Sequence, residues 1–122
     1  MNKLIFTNNE KLDGRGISVI FVKGSYRRVL EECLRYLHRG GRLLTHPNPA
    51  SIKLFHSPVR SILIEEGSVD ESSILLMERA IHQYDQIMTL HEVDNRNLVH
   101  YEMMDQAHID SALEELARWQ SS

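Results

Sequence analysis

Cysteine is nearly absent: Cys33 stands alone in the chain. No disulfide can form within it, so a disulfide-stapled scaffold is excluded and a reducing compartment is expected. Long apolar runs are missing as well. Near the N-terminus only the short stretch Leu4–Thr7 is apolar, far below the length of a signal-peptide core or the roughly 20 residues of a membrane helix. The expectation is a cytoplasmic protein without a membrane contact. A basic excess is lacking too, since the net charge is −3. That argues against general nucleic-acid binding. Proline is scarce, and its three copies all fall between positions 47 and 58.

What remains is an ordinary globular composition. The 122 residues are 42% hydrophobic and 25% charged, which suits one domain over residues 1–122 with a core of its own. A chain of this length buries roughly two-thirds of its unfolded surface. The charges are unevenly placed. Residues 1–60 hold 11 Lys/Arg against 4 Asp/Glu, and residues 61–122 hold 3 against 13. Such a split either draws anions to the N-terminal half or lets the halves, or two copies, face one another.

Lys3–Thr7 ends in the turn formers Asn8-Asn9 and reads as a first strand. Ile17–Val22 is β-branched and almost continuously apolar, the pattern of a strand buried on both faces. Ser25 is placed to cap a helix whose stripe is Tyr26, Val29, Leu30, Cys33 and Leu37. Pairs Arg28/Glu32 and Glu31/Arg35 are spaced for ion pairs on its outer surface. Gly40-Gly41 ends it. Arg42–Thr45 is a third strand, completing a βαβ unit expected to be parallel and right-handed. Ser61–Ile64 is a fourth. The run Ser68-Val69-Asp70-Glu71 matches a capping box that starts a second helix. Its buried stripe is Ile74, Met77, Ile81, Tyr84 and Met88, with Ala80 and Ile87 beside it. Residues 98–103 are either a final strand or an extended link, and Asp105 is placed to cap a last helix carrying Ala112, Leu113, Leu116 and Trp119. Together these predict an α/β fold. It is a single domain with a small, mostly parallel sheet of about four strands, five if residues 98–103 pair. About three helices flank the sheet in a Rossmann-like three-layer arrangement.

The segment THPNPASIKLFHSPVR joins strands three and four and contains Pro47, Pro49 and Pro58. Proline removes a backbone donor and disfavours helix in the residue before it. The segment is expected to be neither regular helix nor strand. Loops this long are mostly functional or disordered, and Ile52, Leu54 and Phe55 give this one apolar anchors. A plain crossover covering one sheet edge is the alternative.

In open parallel sheets, ligands bind beyond the carboxyl ends of the strands. Those ends would present Asn8, the Lys23-Gly24-Ser25 helix start, Thr45 and His46, and Glu65–Ser68. Lys53 and Arg60 could close over them from the loop. Helix N-termini favour anions, so a small anionic ligand is the expected partner. The glycines of a Walker or dinucleotide motif are missing, and no cofactor is expected. His46 is the best candidate for proton chemistry, unless its ring merely holds the loop backbone. The seven histidines show no close pair of the kind that binds zinc on a helix, and no metal is expected. Cys33, on a core stripe, is expected to be inert.

The stretch HRGGRLLTHPNPASIKLFHSPVRSILI resembles the signature of the GrdX family. The matching positions are Leu43–Pro47, Ser51, Lys53, Pro58 and Ser61–Ile64. Thr7-Asn8-Asn9, Asp105 and Ile109-Asp110 also resemble the family's pattern, while Asn48–Ala50 and Leu54-Phe55 depart from it. The resemblance adds Ser51 to the candidate ligand positions. It implies a small protein associated with gene clusters for glycine, sarcosine and betaine reductases of amino-acid-fermenting bacteria. It implies no reductase activity of the chain's own, and the sequence has neither a CxxC pair nor a flavin or nicotinamide fingerprint. Three roles follow as expectations. The first is an accessory or regulatory protein binding a small anion or a reductase component. The second is a small enzyme with His46 as acid or base. The third is an assembly module, such as a homodimer, without a small ligand.

Overall fold

The computed structural model describes residues 2–120. Along the chain run β1 (Lys3–Thr7), β2 (Ser18–Phe21), α1 (Tyr26–Leu37), β3 (Arg42–Leu43), a 3-10 helix (Ile52–His56), β4 (Ser61–Glu65), α2 (Glu71–Met88) and α3 (Leu98–Gln120). The strands form one sheet in the order β2-β1-β4-β3. Successive residues of a strand face opposite sides of a sheet, and both sides are covered here. Leu4, Phe6, Ile62 and Ile64 pack against Val29, Leu30, Cys33 and Leu37 of α1 and Met77 and Tyr84 of α2. Ile5 and Leu63 pack against Ile109, Leu113 and Leu116 of α3. The three layers expected from the sequence are therefore present.

The sheet is mixed rather than mostly parallel. β1 pairs with β2 in parallel, but β4 runs antiparallel to both β1 and β3. A parallel connection needs a crossover of a dozen or more residues, usually a helix. Between β3 and β4 the prolines leave only the five-residue 3-10 helix, so the chain turns back and β4 enters antiparallel. β2 and β3 point the same way but lie at opposite edges of the sheet, not side by side.

Strand two differs from expectation in burial. Val19, Ile20 and Phe21 are 42%, 37% and 50% exposed, because β2 is an edge strand with β1 as its one neighbour in the sheet. Its β-branched run reflects strand propensity, not two covered faces. The opposite edge is closed: Gly41 bridges to Val69, and the Leu43 N–H donates to Ser73 Oγ at 2.9 Å.

In α1, Ser25 Oγ accepts the Arg28 N–H at 3.2 Å, and Tyr26, Val29, Leu30, Cys33 and Leu37 are all buried. Arg28 pairs with Glu32 at 3.0 Å, whereas Glu31 turns to Arg27, whose guanidinium also reaches Asp85 on α2. Helix α2 starts at Glu71 with Asp70 as its N-cap, two residues later than Ser68. The expected box does not close, because Val69 is held in the bridge to Gly41 and Asp70 Oδ2 accepts the Ser73 hydroxyl at 2.7 Å. Residues 98–103 are neither strand nor link but the start of α3, and Asp105 lies inside that helix rather than capping it.

Candidate functional site

Because β4 is antiparallel, one edge of the sheet gathers the carboxyl ends of β1, β2 and β3 with the amino end of β4. Glu65–Ser68, expected at this edge, sits at the other end, since Glu65 pairs with Lys3 at the start of β1. Arg60, immediately before β4, takes its place.

Asn8 organises this edge. Its amide donates to the carbonyls of Gly24 at 2.9 Å and Pro58 at 2.8 Å, and its Oδ1 accepts the Arg60 backbone N–H at 2.8 Å. It ties the end of β1 to the start of α1 and to the proline loop. Arg60 is only 7% exposed. Its guanidinium donates from Nε to Pro47 O at 2.9 Å and from Nη2 to His46 O at 2.8 Å. Among the described residues no carboxylate forms an ion pair with it. The proline loop thus wraps a buried cation with carbonyls, which neutralise it only in part.

A second network fastens α3 to the same edge. Asp105, 6% exposed, accepts the Ser61 N–H at 2.9 Å, the Ser61 hydroxyl at 2.5 Å and the Asn9 amide at 3.1 Å. Ser61 Oγ also lies 2.6 Å from Thr7 Oγ1, which accepts the Asn9 N–H. A hydroxyl carries one proton. With the Ser61 proton committed to Asp105, Thr7 must be the donor to Ser61, and the chain of bonds has one direction.

Between the two networks lies a cavity of about 350 Å³. Arg60, Asp105, His46 and His108 supply its polar wall, and Leu54, Val59 and Met104 much of its apolar wall. Tyr26 and Asn48 also line it, and the Tyr26 hydroxyl donates to Asn48 Oδ1 at 3.1 Å. The Asn48 amide in turn donates to Ala80 O at 2.8 Å and Gln83 Oε1 at 3.0 Å. Burial pushes the Tyr26 hydroxyl's pKa well up, so it stays protonated. His46 is exposed, and its Nδ1 lies 3.0 Å from the Asn48 N–H and 2.9 Å from the Asn48 carbonyl. The loop backbone engages that nitrogen whichever tautomer is present, so a ligand would meet Nε2.

His108 differs. Its Nε2 is buried with no hydrogen-bond partner among the described residues. Burial, then the Arg60 charge, lower its pKa, with Asp105 opposing. Burial and Arg60 thus favour the neutral ring. A buried, unpaired polar atom in a native fold calls for a partner, and its residue lines the cavity. A neighbouring hollow of about 390 Å³ shares His46 and His108 and includes Thr45.

Of the positions expected from the sequence, His46 and Arg60 line the cavity. Thr45 is a brace whose Oγ1 accepts the Leu63 N–H at 3.0 Å. Asn8 holds Arg60 without lining the cavity. Ser25 is engaged as a helix cap, and Lys23, Gly24, Ser51 and Lys53 are exposed and do not line it. Lys53 does not close over Ser25, because its 3-10 helix turns it to solvent. Tyr26, Asn48, Asp105 and His108 are additions. Asp105 and His108 are three residues apart, on one face of a helix, and that spacing is the signal that could have found them.

The sequence matches the GrdX-like protein family over residues 4–114, which includes every polar residue of the cavity. The chain belongs to that family. No curated protein and no solved structure matches the chain significantly. For this GrdX-like chain the cavity is the place where the proline loop, the start of α1 and α3 meet. No described helix is long and apolar enough to cross a membrane.

Proposed function

We propose that this GrdX-like chain is an accessory or regulatory protein that holds a small anionic ligand in the Arg60 cavity. Its setting, an amino-acid reductase system acting on glycine, betaine or sarcosine, is suggested by the family resemblance. A component of that reductase is the protein partner that would read the bound state. The observation that carries the ligand reading is Arg60: a buried guanidinium, fixed by two carbonyls, lacking a carboxylate partner and facing a cavity. Taking a charge out of water is costly unless a counter-charge meets it, and a bound anion supplies one.

Binding is favoured over catalysis by the state of the nucleophiles. Ser61 is fully buried and its proton goes to Asp105, while Cys33 is fully buried and its thiol pKa is raised by desolvation. Neither offers a nucleophile to His46.

The test is a thermal-shift screen with acetate, phosphate, acetyl phosphate, glycine, sarcosine and betaine. A ligand at a hundred times its Kd stabilises the folded state by about 2.7 kcal/mol, several degrees for a domain of this size. The expected result is a shift that Arg60→Gln abolishes and Lys53→Ala preserves. No shift with any of them would contradict the proposal.

A second reading, self-association, is favoured by the open β2 edge. Ser18–Phe21 holds no charge or proline to block strand addition, and antiparallel pairing of two copies would join their sheets. Sedimentation of wild type and Ile20→Lys distinguishes a dimer broken by the charge from a monomer unaffected by it.

A further inference from the structure

The cavity wall holds two buried charges of opposite sign that do not pair with each other. Arg60 is 7% exposed and Asp105 is 6% exposed, and both line the same space. Each is held by neutral groups: Arg60 by the carbonyls of Pro47 and His46, Asp105 by Ser61 and Asn9. A buried cation and a buried anion in one low-dielectric pocket would ordinarily be drawn into contact. Here Asn8 and the proline loop hold one, Ser61 and Asn9 hold the other, and no ion pair forms between them.

This arrangement discriminates by charge. A phosphate meets Arg60 favourably but is repelled by Asp105. A simple amine meets the reverse. A ligand with one carboxylate and one ammonium satisfies both, and leaves no net charge buried. His108 lines the same wall, and its ring can donate or accept a further hydrogen bond, depending on its tautomer. The rest of the wall is largely apolar, with Leu54, Val59 and Met104. About 350 Å³ is at the small end of ligand cavities and has room for a side chain beyond the two charged groups. We infer that the cavity takes a zwitterion of the α-amino-acid type with an apolar side chain, its carboxylate toward Arg60 and its ammonium toward Asp105. This rests on the Arg60 cavity being an anion site, and adds the second charge.

The experiment is calorimetric titration of the full chain with leucine, methionine and phenylalanine. Each is compared with its N-acetyl derivative, which lacks the ammonium, and its carboxamide, which lacks the carboxylate; phosphate is titrated alongside. The expected result is that at least one free amino acid binds, and that either modification weakens it tenfold or more. In Asp105→Asn, the preference for the free over the N-acetylated form should disappear. Should that variant not fold, the ligand series on wild type still decides. Equal affinity for free and N-acetylated forms would overturn the zwitterion and leave the anion site standing. Phosphate binding more tightly than every amino acid would do the same. Binding of the carboxamide as strong as that of the free acid, or no binding of any compound, would overturn both.

Discussion

Ser61 gives both of its donors to one carboxylate, the hydroxyl to Asp105 Oδ2 at 2.5 Å and the backbone N–H to Oδ1 at 2.9 Å. These residues are 44 positions apart. Their contact fixes α3 against the mouth of the sheet, and so fixes one wall of the cavity. Asp105→Ala would strand the Ser61 backbone N–H in a buried site and take away one acceptor each from the Ser61 hydroxyl and the Asn9 amide, at a cost on the order of 3 kcal/mol. Asp105→Asn keeps the shape and an acceptor, and should cost about 1 kcal/mol. Urea unfolding of the two variants checks the order, and equal losses would show that the bonds matter less than the volume.

Asn8 acts at a distance from the cavity. Asn8→Ala removes the acceptor for the Arg60 N–H and the donor to Gly24 and Pro58. It should destabilise the fold by about 2 kcal/mol and weaken ligand binding through a looser Arg60. Binding measured well below the melting temperature separates the two effects. Unchanged affinity in a folded Asn8→Ala would mean that Arg60 holds its place without it.

The pH dependence follows from His108. Its folded pKa lies below the ordinary 6.5, through burial first and Arg60 second. Below pH 6.5 the unfolded chain takes up a proton that the folded chain refuses. Stability from the neutral ring is therefore full above that pH and is lost as pH falls toward the folded value. Denaturant melts at pH 7.5 and 5.5 should show a smaller acid loss in His108→Gln than in wild type. Identical slopes would show that the folded ring accepts its proton freely.

Cys33 is 0% exposed and burial raises its thiol pKa. The thiolate is the reactive form, so the folded chain should be inert to a disulfide reagent and titrate one thiol in denaturant. Rapid labelling without denaturant would contradict the burial of the α1 stripe.

Much of the fold was legible because its signals are local. The α1 stripe, the Ser25 cap and the Gly40-Gly41 stop depend on neighbours within a few residues, and each is found. Strand direction is not local. The run Ile17–Val22 shows its strand propensity, but nothing in it reveals that β2 stands at an edge. The proline loop showed that no regular helix bridges β3 and β4, yet the consequence, an antiparallel return, depends on pairing across the sheet. The site was half legible for the same reason. His46 and Arg60 stood out in an unusual loop, and Asn8 stood out as a turn former at a strand end. Asp105 and His108 come to the site on a helix distant in sequence, and their polar side chains face inward for reasons visible only once β1 and β4 are beside them.

The most direct test of the Arg60 cavity is NMR titration of the folded chain with a small carboxylate, following arginine side-chain N–H and histidine ring signals. The cavity predicts saturable shifts at Arg60 and His108, with Lys23, Ser25 and Lys53 unmoved. Shifts confined to Lys23, Ser25 and Lys53, with Arg60 and His108 silent, would place the anion at the α1 start and contradict the account.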